Sequence, residues 1–384
     1  MADDGDDGHR QSRLVTDDDG AFDAEGAREK SLPIEDGEVV DTDALGDHQT
    51  YLEGRGIYDE RNRLNDLTGR EWKFATKSVI PQAYPPDLQH DLRSEHGGQK
   101  PPRLCAELVG RFSKAGETVL DPFAGVGGTL LGASLCEYEG TGRRDAIGFE
   151  RTARWVDVYE TVLERENERR REAGEPSLAA QEMRHGDCRE LAEDLETDSV
   201  DLLLTDVPYW DMDEREQTRN ERATRASKLG NFDVSGAAAD SANVTEGVAA
   251  GTVNDGDGPT AGTASDGDGP TAGTASDGIG TGAESAGQSK NDWLAEMTDA
   301  FGRFTRPLKS GRYAVVFIGD MYQNQSYEFL SADLARAIED GTAFTLVANL
   351  IWYDPSKDLH VYGYPFSFVP SMVHQNVLVF RLEG

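Results

Sequence analysis

Asp121-Pro122-Phe123-Ala124-Gly125-Val126-Gly127-Gly128 lies between a short apolar run, Thr118–Leu120, and an apolar stretch that begins at Thr129 and continues to Cys136. The run reads as a strand and the stretch as the opening of a helix, so the octapeptide is a strand-to-helix turn. Glycines in such a turn let backbone approach a ligand at the helix N-terminus, where nucleotide-binding sheets hold theirs. The dinucleotide fingerprint G-x-G-x-x-G is not completed, because its last position is Leu130. Asp121 ends the strand directly, where a carboxylate can bind the cationic amino-acid end of S-adenosylmethionine.

Outward from this turn the pattern alternates. Pro101–Ser113 reads as a helix opened by prolines, with Leu104, Leu108, Val109 and Phe112 on one stripe. Ala146–Phe149 is a strand ending in Glu150, and Arg151–Arg171 a long charged helix. Val200–Leu204 is a strand running into Thr205-Asp206. Beyond residue 290, Tyr313–Ile318, Phe344–Trp352 and Asn376–Phe380 read as strands and Ser331–Glu339 as a helix. Strands alternating with helices imply an α/β fold: a parallel sheet with helices on both faces.

Three more acids follow strands. Glu150 is placed to accept both ribose hydroxyls of an adenosine-containing cofactor. Asp187, in His185-Gly186-Asp187-Cys188, is placed either to accept from an adenine amino group or to cap the helix that starts at Arg189. Asp206-Val207-Pro208-Tyr209-Trp210 is the most informative. An exocyclic base nitrogen is a poor nucleophile because its lone pair is delocalised into the ring. Asp206 can accept one of its N–H groups, the backbone carbonyl beside rigid Pro208 the other, and Tyr209 offers a face for a flipped base. None of Cys105, Cys136 and Cys188 follows a proline, as a cysteine nucleophile for methylation at cytosine carbon five would. H-E-x-x-H, G-x-S-x-G and G-x-x-x-x-G-K-[ST] are absent from the sequence.

Composition divides the chain. Residues 1–50 carry 16 acids against 4 bases, and 231–290 carry 9 acids against one lysine. Both read as disordered: an acidic tail, and an insertion holding the repeat DGDGPTAGTAS at Asp255–Ser265 and again at Asp266–Ser276. Residues 51–230 and 291–384 read as two parts of one sheet, and residues 1–95 as too disordered for a separate RNA-binding domain. The formal net charge is -34, and the segments outside the tail and insertion also stay acidic. Such acidity opposes nucleic-acid binding but resembles proteins of salt-loving microbes. At molar salt the Debye length is about 3 Å, and base contacts replace counterion release. Arg215–Lys228, with five bases and two acids, stands out as a phosphate-contact candidate or a mixed-charge helix face. Scattered cysteines fit a reducing cytoplasm and no zinc site. No signal peptide or bilayer-spanning run is read.

At these residues the chain resembles the DNA amino-methyltransferases that act on adenine N6 or cytosine N4. Asp121–Gly128 is similar to that family's cofactor loop, D-P-F-x-G-x-G-T, and Asp206–Tyr209 to its D/S-P-P-Y tetrad, with Val207 in place of proline. His96-Gly97-Gly98-Gln99-Lys100-Pro101 resembles the H-P-x-Q-K-P segment that closes over the cofactor's methionine end. The stretch from Tyr362-Gly363-Tyr364-Pro365-Phe366 to Phe380 looks like the family's C-terminal antiparallel hairpin. The resemblance implies a Rossmann-like S-adenosylmethionine-dependent methyltransferase fold. The cofactor would be held by Lys100, Asp121, Phe123, Gly125, Gly127, Glu150 and Asp187. Asp206, Pro208 and Tyr209 would be catalytic, with Tyr209 and Trp210 against the base. DNA is the implied partner and a cognate restriction enzyme a further one; no metal is needed, and the oligomeric state is left open. An RNA amino-methyltransferase acting on tRNA guanine N2, or a nucleotide-binding regulator with a decayed tetrad, remains the alternative.

Overall fold

The computed structural model describes residues 42, 45–138, 140–208, 289–323, 326–357, 359 and 368–384. Arg215–Lys228, the repeat, Tyr209, Trp210 and Tyr362–Phe366 lie outside them. Contacts gather the described residues before 209 and after 289 into one unit.

Its centre is an eight-stranded sheet. In chain order the strands are β3 (Val79–Pro81), β4 (Thr118–Asp121), β5 (Asp145–Glu150), β6 (Glu182–His185), β7 (Val200–Asp206), β8 (Leu308–Ile318), β11 (Phe344–Tyr353) and β12 (His374–Leu382). The spatial order is β3-β11-β12-β8-β7-β4-β5-β6. Every pairing is parallel except those of β12, which runs antiparallel to both β11 and β8. The C-terminal antiparallel hairpin is thus β11–β12, joined in register from Phe344↔Leu382 to Tyr353↔His374.

Burial explains the strand sequences. β7, Val-Asp-Leu-Leu-Leu-Thr-Asp, is covered on both faces, so it reads as an apolar run instead of an alternation. The buried Asp201 inside it is neutralised by Lys309 at 2.7 Å and Arg312 at 3.1 Å and accepts from the Thr118 amide. Helix α3 (Pro102–Phe112) buries Leu104, Cys105, Leu108 and Val109 on one stripe. Helix α4 (Gly128–Leu135) is buried on all sides and carries no charge. Helix α5 (Ala153–Ala173) begins and ends two residues later than its sequence predicts. It buries Tyr159, Val162, Glu166 and Arg170, again one stripe, and stops at Gly174 with φ +72°.

The N-terminal segment corrects two expectations. Order starts ahead of residue 51, because β1 (Gln49–Leu52) pairs with β2 (Gly56–Asp59). Residues 45–95 are not disordered: they add helix α1 (Gly69–Ala75), helix α2 (His90–Ser94) and β3, which joins the sheet as a parallel edge strand. Polar side chains hold this segment. Thr68 and Glu71 form a capping box, and Arg55 grips Glu71 at 2.8 and 3.0 Å and the Asp66 carbonyl at 2.7 Å. Asn65, buried, donates to the Arg111 carbonyl at 2.6 Å. Such a network has no hydrophobic period to read.

The remaining helices are α6 (Cys188–Leu191), α7 (Lys290–Phe304) and α8 (Leu330–Gly341), and a small hairpin, β9 (Met321–Gln323) with β10 (Ser326–Glu328), completes the unit. Among the described residues no helix is long and apolar enough to cross a membrane.

Candidate active site

The chain builds β4, β5 and β6 outward in one direction, then crosses back to lay β7 and β8 on the other side of β4. Adjacent parallel strands whose connections depart in opposite directions open a crevice at their carboxyl ends. Asp121 ends β4 and Asp206 ends β7, so both acids stand at that crevice.

The turn after β4 is shaped by close approaches. Gly127 sits at φ +75°, and a Cβ there would lie 2.2 Å from the Tyr159 ring of α5. A Cβ on Gly128 would lie 2.9 Å from the Lys100 carbonyl. The turn is tied to β5 by Ala124 N–H donating to Phe149 O at 2.9 Å and Gly125 N–H donating to Glu150 Oε2, also at 2.9 Å. Glu150 accepts a second amide, from Thr152, at 2.7 Å. Glu150 therefore fixes the glycine loop whatever else it binds.

Asp121 is buried, accepting from Thr205 Oγ1 at 2.6 Å and from the Phe123 amide at 3.2 Å. Burial pushes its carboxyl up to about 6 despite these donors and a hydroxyl contact from Thr129; the charge of Asp206 adds to the rise. Asp206 is also pushed up by burial, and Lys100 and then His96 pull it back. Its Oδ2 is bound by the Lys100 ammonium, whose side chain is only 7% exposed. Its Oδ1 is buried and has no hydrogen-bond partner among the described residues. Lys100 Nζ also reaches the Gly98 carbonyl at 3.3 Å and stands 5.4 Å from the Phe317 ring centroid.

Lys100, Asp121, Phe123, Gly125 and Asp206 thus line a single recess, together with His96, Gln99, Thr129 and Phe317. Asp187 does not line it. Its carboxylate caps α6, accepting from the Arg189 amide at 2.9 Å, and forks with the Arg189 guanidinium at 3.0 and 2.8 Å. Those bonds hold Asp187 down at about 2. Cys188 beside it is pushed up to about 12 by burial, far from a thiolate at neutral pH. Pro208 is buttressed from α7, where Trp293 Nε1 donates to its carbonyl at 2.9 Å. Of the two carbonyls flanking Pro208, that later one is engaged. Val207 is buried and its amide reaches Phe317 O at 3.4 Å, a donor that proline lacks.

Thr205, Trp293 and Phe317 escape a reading of the sequence. Thr205 was adjacent to a recognised acid; the other two sit in α7 and β8 with no local signal of their role.

The strand order with its single antiparallel strand and the glycine turn at the reversal point define the class I-like, Rossmann-type fold of S-adenosylmethionine-dependent methyltransferases. Residues 48–161 match the family model described as DNA methylase. No match was found among curated proteins. Among solved structures, TrmN from Thermus thermophilus is 12% identical over 78% of this chain and 54% of its own, with a TM-score of 0.39. TTHA0409 from the same organism, solved with S-adenosyl-L-methionine, is 15% identical over 51% of this chain and 53% of its own, with a TM-score of 0.26. A methyltransferase from Methanosarcina mazei is 9% identical over 70% of this chain and 94% of its own, with a TM-score of 0.35. The chain spans about half the length of TrmN and TTHA0409.

The methyl donor of this fold is S-adenosylmethionine, and the residues present fit it. The recess is lined by the backbone of the glycine turn at Gly125 and by the buried carboxylate of Asp121. Lys100 and Asp121 supply opposite charges in the same recess, suited to a zwitterionic amino-acid end.

Proposed function

We propose that the chain transfers a methyl group from S-adenosylmethionine to the exocyclic amino group of a base flipped out of DNA, cytosine N4 or adenine N6. The observation that carries this reading is the buried Oδ1 of Asp206, without a partner among the described residues, at the reversal point of the sheet beside the cofactor turn. When bound, the cofactor supplies an electrophilic methyl on a sulfonium.

The chain's own residues then have distinct tasks. Asp206 Oδ1 accepts one N–H of the base and draws the amino nitrogen toward a pyramidal form, freeing its lone pair. The Val207 carbonyl, on the side of Pro208 that Trp293 leaves alone, accepts the other. Tyr209 and Trp210 stack on the base. Asp121 would bind the ammonium of the cofactor and Lys100 its carboxylate end, and the backbone at Gly125 and Gly127, with Phe123, would hold the rest of it. Glu150 takes the ribose hydroxyls on lone pairs its two amide donors do not use, and Asp187 the adenine amino group. Transfer forms an N–C bond as the S–C bond breaks, and the nitrogen loses one proton through Asp206 to solvent. Holding both reactants in line supplies most of the acceleration.

In this reading, the residues from β1 to 230 and 291–384 are one catalytic unit in the cytoplasm, and the acidic segments ahead of β1 and at 231–290 carry no chemistry. The test is incubation of the full chain at high salt with methyl-labelled cofactor and either duplex DNA or tRNA, followed by nucleoside identification. N4-methylcytosine or N6-methyladenine from the DNA supports the reading. Label in tRNA alone, or in neither polymer, overturns it.

A further inference from the structure

A cleft lies away from the recess that holds Asp206. It measures about 650 Å³ and runs between α1–β3 on one wall and α3 on the other. Phe74, Lys77, Val79 and Tyr84 face Arg103 and Arg111 across it.

The rim of this cleft is unlike the rest of an acidic chain. Residues 68–79 carry three bases, Arg70, Lys73 and Lys77, against one acid, Glu71. Glu71 lines the cleft but is engaged by the Arg55 guanidinium and by the cap of its own helix. The outward charge of this segment is therefore positive. Large apolar side chains stand among the lysines: Trp72 is 38% exposed, Phe74 54% and Val79 44%. No residue of α1 is buried. Lys77 Nζ lies 5.2 Å from the Phe74 ring centroid, so cation and ring present themselves together. In a chain of net charge -34, an exposed face that combines lysines with aromatic rings has one fitting occupant, a polyanion whose uncharged parts are flat.

α3, the second wall of the cleft, begins two residues after Lys100, whose ammonium is on Asp206. Tyr84 packs against Trp352 with ring centroids 6.4 Å apart, and Lys357 stands 5.8 Å from the Trp352 ring. Basic and aromatic groups thus continue from α1 along the sheet edge to the loop after β11, at the same end of the sheet as Asp206.

We infer that α1, β3 and this cleft form the surface along which the DNA strand flanking the flipped base is held. Lys73 and Lys77 contact phosphates, and Trp72 and Phe74 stack on unpaired or splayed bases. This rests on the DNA reading given above. Rings whose contribution is insensitive to ionic strength suit a protein in which counterion release contributes little.

The test uses the full chain, a fluorescein-labelled duplex carrying a short single-stranded gap, and anisotropy titrations at low and at molar salt. Trp72→Ala/Phe74→Ala is expected to lose about tenfold in affinity at both salts, since stacking on one base is lost in part. Lys73→Ala/Lys77→Ala is expected to lose affinity at low salt only, with the slope of log K against log salt falling by about two. Cofactor titration, unchanged in both, checks that the variants fold. If a double variant does not fold, the single exposed substitutions Lys73→Gln and Lys77→Gln replace it, each lowering the slope by about one. Parental affinity and slope in folded variants overturn the inference while leaving the methyltransferase reading intact. Preference of this face for an RNA strand over the gapped duplex overturns it too. A parent chain that binds no DNA defeats both.

Discussion

Lys100 and Asp206 are 106 residues apart in sequence and form an ion pair whose members are 7% and 21% exposed. The pair joins the segment that leads into α3 to the acid that ends β7, so the two halves of the recess share one charge balance. Removing one partner of a buried pair costs about 3–5 kcal/mol, because the survivor is left uncompensated.

Lys100→Met is therefore expected to raise the Asp206 carboxyl further, since burial acts on it unopposed by the ammonium. The acidic limb of a kcat/KM profile moves to higher pH, read from single-turnover rates across the profile. A group held above its unfolded value binds a proton more tightly when folded, so its contribution to stability declines as pH rises. The variant should lose more melting temperature relative to parent at about pH 8 than at about pH 5. An unmoved limb would mean that the lysine serves the cofactor alone.

Asp206→Ala is expected to abolish methyl transfer while leaving cofactor affinity within about twofold. Loss of one preorganised acceptor at a reacting group costs about 10²–10³ in rate or more. The check is a paired measurement, isothermal titration with cofactor and transfer of label to DNA. Equal turnover by variant and parent would end the assignment of this acid.

Asp121→Asn sets stability against binding. The carboxyl sits at about 6, above its ordinary value near 3.8, so the folded state pays to ionise it at neutral pH. On the order of 3 kcal/mol is at stake between those two values, at about 1.4 kcal/mol per unit. The amide keeps an oxygen for Thr205 and Phe123 and carries no charge. The variant is expected to melt higher than parent at about pH 8, with the gain shrinking toward about pH 5, and to bind S-adenosylmethionine at least tenfold more weakly. Thermal scans at both pH values and a cofactor titration check each half.

Trp293→Phe keeps a ring and removes the donor to the Pro208 carbonyl. The lost neutral hydrogen bond costs about 0.5–1.5 kcal/mol, and the space left by the smaller buried ring adds to it. Turnover should fall severalfold more than cofactor affinity, because the indole steadies the tetrad and not the glycine turn. Equal effects on both quantities would argue for simple core loosening.

The acids at the strand ends were legible because each signal is local: an apolar run, then a carboxylate, then a glycine or a proline. Asp121 and Asp206 needed no partner to be noticed. The bond between Lys100 and Asp206 was hidden, since nothing in either segment names the other. Asp187 carried two readings because a capping acid and a ligand acid have the same local pattern; the fork to Arg189 shows the cap in place. The stretch around Arg55, Asn65 and Thr68 was invisible for a different reason: it is ordered by side-chain hydrogen bonds at irregular spacing, and periodicity records only apolar burial.

The indole of Trp293 and the carbonyl of Pro208 have one more effect. They fasten together the two places where residues 209–289 leave and rejoin the sheet, across 85 positions. Closing a long loop costs only about 0.6 kcal/mol more for each doubling of its length. A polypeptide stapled this way is nearly indifferent to how much chain it carries between the staples, and new termini could be cut there, or a reporter domain spliced in, with both ends still delivered to the same spot.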